Sequence, residues 1–191
     1  NVVEKGAVAT TLNASAVLGS TSKLNVDASE MTNGGFTFAI SNGIDGFKGS
    51  SQADTITVGA SAFLTDADVL NGGAGNDTIT TLAAGTLMTK VVDAGAGTGD
   101  KLIINGAALV DTTAKGAQFK NFEVLQVNSG VAAAAQDVAN LSANNTFTSA
   151  VINQSTTNAT GITNMNATMA GAVTVLAASG TGAITFGIKD A

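Results

Sequence analysis

The chain lacks cysteine, histidine, tryptophan, tyrosine and proline, and its basic residues are all lysine. Without cysteine or histidine there is no thiol nucleophile, no zinc or haem ligand of the usual kind, and no residue of the commonest general-base type. Eight phenylalanines are the only aromatics, so platforms for stacking sugars or bases are few. Eight scattered lysines against 14 acids give a net charge of −6, which argues against nucleic acid as a partner. Polar or charged residues interrupt every apolar run before the roughly 18 residues a membrane span needs. Asp, Glu, Ser, Thr and backbone carbonyls remain for chemistry. That set of oxygens suits hard cations.

What is present is a chain of 191 residues, 45% hydrophobic, rich in Gly, Ala, Thr and Asn, long enough to bury a core. It opens at Asn1 with neither a basic nor an apolar leader, and is expected to be an excised piece of something larger. Its first third reads as β: Lys23–Asp27 and Phe36–Ile40 alternate polar and apolar residues, and Asn33-Gly34-Gly35 and Asn42-Gly43 read as turns.

A repeat follows. Asp54, Asp77, Asp100 and Glu123 lie 23 residues apart, and each opens an alternating strand. Ile56, Ile79, Leu102 and Leu125 stand two positions after the acid, so one face stays apolar in every repeat. A constant step that preserves facing predicts an all-β parallel solenoid, in which each coil buries its apolar face only by stacking on the next. Val69-Leu70 and Lys90-Val91-Val92 supply a second strand per coil. One step outward lands on Met31 and on Thr146, so the pattern predicts four rungs. Residues 1–130 are expected to form the solenoid, and 131–191 an Ala/Thr/Asn-rich β extension, either of the same solenoid or as a small separate domain. Within it, Val131–Leu141 reads as a short Ala-rich helix, and Ala172–Leu176 and Ala183–Phe186 as strands. From residue 124 onward only Asp137, Lys189 and Asp190 are charged, a surface poorly protected against edge-to-edge pairing.

One motif carries chemistry. Gly72-Gly73-Ala74-Gly75-Asn76-Asp77-Thr78-Ile79-Thr80 fits every position of the nonapeptide G-G-x-G-x-D-x-U-x. Glycine permits the turn conformations that direct carbonyls to one point, and the aspartate adds a carboxylate; six to eight such oxygens satisfy Ca²⁺. The neighbours are degraded: Gly49–Thr57 keeps one Gly, the Asp and the aliphatic residue, and Gly95–Leu102 carries one extra residue. The bland reading is a simple turn capped by Asp77. Asp66 and Asp68 lie upstream and could complete the ion's shell, though a solvated helix end is the simpler reading, and the phenylalanines read as core.

The nonapeptide resembles that of repeats-in-toxin (RTX) proteins, and the acidic, Cys- and His-free composition resembles that of type I-secreted bacterial S-layer proteins. The motif likeness spans residues 45–127. It implies a β-roll or β-solenoid with Ca²⁺ as cofactor between successive turns, held at positions matching Gly73, Gly75 and Asp77, then Gly95, Gly97 and Asp100, with Asp54 a weaker candidate, at one to three sites. It also implies a secreted structural protein of the bacterial surface that self-associates into a lattice, with outer-surface polysaccharide as a further partner. The alternatives are an RTX adhesin or host-binding module, and a calcium-dependent secretion module of an extracellular enzyme. A catalytic role for this chain itself is not expected: Asp66 with Asp68, or Asp93 with Asp100, offer acid–base pairs, but no Arg, His, Tyr or Trp accompanies them.

Overall fold

A computed structural model describes residues 2–3, 8–14, 22–40, 43–57, 68–82, 91–105, 110–128, 135–153, 159–176 and 181–189. Its strands are short, and every pairing between them is parallel. One eight-stranded sheet stacks β2 (Thr10–Asn13), β4 (Phe36–Ala39), β6 (Thr55–Thr57), β8 (Thr78–Leu82), β10 (Lys101–Asn105), β12 (Val124–Asn128), β14 (Ser149–Asn153) and β16 (Val173–Leu176) in that order. A six-stranded sheet faces it, built from β1 (Val2–Val3), β3 (Lys23–Asp27), β5 (Ile44–Lys48), β7 (Val69–Asn71), β9 (Val92–Asp93) and β11 (Phe119–Lys120). A third sheet pairs β13 (Gln136–Asp137), β15 (Thr160–Met165) and β17 (Ile184–Ile188). The chain alternates between sheets, so the whole is a β-solenoid of about six coils.

The 23-residue step is the register itself: Ile56 pairs with Ile79, Ile79 with Leu102, and Leu102 with Leu125. All four are buried. The ladder also runs further than four rungs. Phe38 stacks below Ile56 after 18 residues, and Ala150 above Leu125 after 25, so the strand is retained while the connection changes length. Extrapolating a fixed step from Ile56 and Leu125 therefore misses both, landing on Asn33 and Thr148. At the early end the rings of Phe38 and Phe47 stack with centroids 5.3 Å apart and tie the two large sheets together. Six phenylalanines are buried, but Phe186 on the last strand is half exposed, and Phe63 lies outside the described residues.

The helix expected over Val131–Leu141 is not found in the described part of that span. Gln136–Asp137 is strand and Val138–Asn140 a single 3-10 turn capped by Asp137, while 131–134 lie outside the described residues. The cause is tertiary: the buried Gln136 amide accepts from Val110 N and donates to Val110 O, both at 2.9 Å, and this clamp outweighs the helix preference of alanine. Lys90 also lies outside the described residues. Among the described residues no helix is long and apolar enough to cross a membrane.

Candidate metal centre

The acids of the repeat sit at the corner where the chain leaves the six-stranded sheet for the eight-stranded one. Each strand begins one residue after its acid, so each carboxylate turns inward beneath the corner. Asp54, Asp77 and Asp100 are at most 1% exposed. They form a chain of hydrogen bonds running through the stack: Asp54 N donates to Asp77 Oδ1 at 2.7 Å, Asp77 N to Asp100 Oδ1 at 2.6 Å, and Asp100 N to Glu123 Oε2 at 2.9 Å. Phe36 N donates to Asp54 Oδ1 at the early end. Glu123 was legible only as a rung; its longer side chain takes the same role.

The glycine turns make room for these carboxylates. Gly73, Gly75 and Gly95 have φ of +103°, +111° and +102°, a region costly for any residue with a Cβ. A Cβ on Gly72 would lie 2.2 Å from Ala94 O and 2.3 Å from Asp77 Oδ2. One on Gly97 would lie 2.1 Å from Gly75 O and 2.6 Å from Asp100 Oδ2. At each turn, then, a carboxylate oxygen and a carbonyl from the adjacent coil crowd the same glycine. The two turns are also bonded to one another, with Ala96 N donating to Gly73 O at 2.8 Å and Gly75 N to Ala96 O at 3.0 Å. One residue more lies between Gly97 and Asp100 than between Gly75 and Asp77; Gly99 occupies the extra place, and the ladder keeps its register.

The three aspartates differ in how their second oxygen is treated. Asp54 Oδ2 accepts from Ser50 N at 2.6 Å, and Ser50 Oγ donates to Asp54 Oδ1 at 3.0 Å. Asp77 Oδ2 and Asp100 Oδ2 are buried with no hydrogen-bond partner. A buried, unsatisfied carboxylate oxygen costs several kcal/mol if charged and calls for an explanation such as an ion. Burial, reinforced by the charges of Asp54 and Asp100, pushes Asp77 up to about 7. Burial also raises Asp100 and Glu123, and raises Asp54 against the hydrogen bonds from Phe36 and Ser50.

The donors at the Asp77 and Asp100 turns are of the kind Ca²⁺ takes: two unpartnered carboxylate oxygens, with Ala94 O beside Asp77 Oδ2 at Gly72 and Gly75 O beside Asp100 Oδ2 at Gly97. Among the described residues no group of three or more His, Cys, Asp or Glu converges on one point, so backbone carbonyls would supply much of the shell. Asp68 is separate from this corner: it is buried just before β7, not a solvated helix end, and its Oδ1 accepts from Asp45 N, 23 residues earlier. Asp93 accepts from Gly95 N and from the Asn121 amide. Asp66 lies outside the described residues. Ser50 went unread in the sequence, although it occupies the position of the motif's second glycine.

No family model matches the chain, nor does any curated protein or solved structure.

Proposed function

We propose that this chain is a calcium-stabilised structural segment of a secreted, self-assembling bacterial surface layer. The observation that carries the reading is the pair of buried, unpartnered oxygens, Asp77 Oδ2 and Asp100 Oδ2, inside stacked glycine turns. Asp77 and Asp100 would hold the ion, with carbonyls of the Gly73–Gly75 and Gly95–Gly97 turns. Bound there, Ca²⁺ supplies the positive charge that the buried carboxylates lack. The chain does the positioning: Asp54 N and Asp77 N each fix one carboxylate oxygen, which leaves the other directed at the turn.

The consequence is linkage. Without the ion, Asp77 ionises only against burial and the charges of Asp54 and Asp100, so the solenoid would be weakened where its coils join as pH rises through about 7. An ion that binds only the folded chain adds RT ln(1 + [L]/Kd), about 2.7 kcal/mol per site at a hundredfold excess. Millimolar calcium outside a cell thus favours the closed coil. Inside the cell, where the ion is scarce, the chain is held less firmly, as secretion in an unfolded form requires. The charge-poor, Thr- and Asn-rich last third supports an assembling rather than a solitary role.

Negative-stain electron microscopy of the chain with millimolar calcium and with a chelator tests the assembly. Ordered sheets that need calcium support the reading, and dispersed particles under both conditions contradict it.

A further inference from the structure

The triplet Asn-Gly-Gly occurs twice, at Asn33-Gly34-Gly35 and at Asn71-Gly72-Gly73, and the fold treats the two in opposite ways. Asn71 ends β7 and is half-buried, and the N–H of the buried Gly72 donates to Asp93 O at 2.9 Å in the next coil. Asn33 is exposed and lies outside any strand, in the connection between β3 and β4. Among the described residues neither its side-chain amide nor the Gly34 N–H has a hydrogen-bond partner. The glycines around that free N–H are held by their other atoms. A Cβ on Gly34 would lie 2.4 Å from Ala9 N, and one on Gly35 would lie 1.8 Å from Ala53 O and 3.5 Å from Asp54 Oδ1. Asn42 and Gly106, which belong to two further Asn-Gly pairs, lie outside the described residues.

We infer that Asn33-Gly34 is a self-modifying site, at which the Gly34 nitrogen attacks the Asn33 side chain and converts it, through a cyclic imide, to aspartate and isoaspartate. Both reacting groups belong to one residue pair, so ring closure has the advantage of an intramolecular reaction, and glycine places no Cβ beside the attacking nitrogen. The bond formed is Gly34 N to Asn33 Cγ. The bond broken is Cγ to Nδ2, and the side-chain nitrogen leaves as ammonia with the proton that Gly34 N gives up. Water then opens the imide: attack at Cγ yields aspartate, and attack at the main-chain carbonyl yields isoaspartate, whose backbone is one methylene longer. At Asn71-Gly72 the same attack first requires the Gly72 N–H to leave Asp93 O. Modification at Asn33 adds a negative charge to a chain already at −6. The extra methylene enters just before Gly35, which is pressed against the coil of Asp54, and next to the Phe36 N–H that Asp54 Oδ1 accepts. That corner would loosen as the turn ages. The inference depends on neither calcium nor assembly.

Peptide mapping by mass spectrometry tests it, on the full chain held at mildly alkaline pH and sampled over days, with aspartate and isoaspartate products resolved by chromatography. In the folded chain the mass gain of amide-to-acid conversion should appear at Asn33 about tenfold or more faster than at Asn71, because Gly72 must first break its hydrogen bond. In urea, where both triplets are open, the two rates should converge. Asn33→Gln, whose longer side chain would have to close a larger ring, should show no gain at that position. Aged in parallel, the variant should keep its thermal midpoint while that of the wild type falls. Equal rates at Asn33 and Asn71 in the folded chain, or no conversion at Asn33, would overturn the inference. A wild-type midpoint that holds as well as the variant's after conversion would overturn the coupling to the Asp54 corner.

Discussion

The turn at 49–54 and the turns at 72–77 and 95–100 occupy equivalent corners of consecutive coils, yet they treat the same aspartate differently. In the first, serine stands where the second glycine of the motif would be, and its N–H and hydroxyl cover the oxygens of Asp54. In the other two, glycine holds that place and one oxygen of each aspartate has no partner. A turn that completes its own hydrogen bonds needs nothing further. A turn that leaves a buried carboxylate oxygen without a partner carries a desolvation cost that its own hydrogen bonds do not offset. The serine hydroxyl adds one bond, to Asp54 Oδ1, that a glycine cannot make, while the bond to Oδ2 comes from the backbone N–H.

The comparison can be broken at several points. The largest effect is expected from Gly72→Ala, whose Cβ would meet Ala94 O at 2.2 Å and Asp77 Oδ2 at 2.3 Å. Backbone has to shift in the adjacent coil, and a loss of about 3 kcal/mol, lowering the thermal midpoint by roughly 10 °C, follows for a chain this size. The next is a pH effect. Asp77 titrates near 7 when folded but near its ordinary value when unfolded, so the folded state binds the extra proton. The stability this confers is complete below the unfolded value and is lost as pH rises toward 7. In chelator the chain should lose roughly 2–3 kcal/mol between about pH 5 and pH 8, read as a falling midpoint in thermal melts, while saturating calcium flattens the dependence.

Smaller effects separate the turns themselves. In chelator near pH 8, Asp77→Asn should raise the midpoint, because a buried amide costs less than a buried charge; Asp54→Asn should raise it less or not at all, because the bonds from Phe36 and Ser50 offset part of the burial that pushes Asp54 up. Equal shifts would erase the distinction. Smallest is Ser50→Ala, which removes the hydroxyl bond to Asp54 Oδ1 but keeps the N–H bond to Oδ2, for a cost of about 1 kcal/mol or less in denaturant melts.

The rungs were legible because strand pairing in a solenoid is a matter of spacing: the side chain two residues after each acid must face the same way in every coil, and Ile56, Ile79, Leu102 and Leu125 do. The outer coils were not, since Phe38 and Ala150 are reached over connections of other lengths, and length is invisible to a fixed step. Likewise, the Gln136–Val110 clamp joins residues 26 apart through one side chain, which no local pattern encodes. At the corner, glycine spacing marked the turns, and the 23-residue step marked which acids stack. The different treatment of Asp54 was hidden because serine at 50 reads as an ordinary turn residue until its N–H and hydroxyl are seen against the carboxylate. Asp45 and Asp68 show the same step on the other sheet, where it serves a backbone bond.

Calcium titration by isothermal calorimetry, run in parallel on the wild-type chain, Asp77→Asn and Asp54→Asn near pH 7.5, bears most directly on the central claim. The account predicts saturable binding to the wild type, the same stoichiometry in Asp54→Asn, and loss of at least one site in Asp77→Asn. Binding lost equally in both variants, or no heat of binding to the wild type, would contradict it.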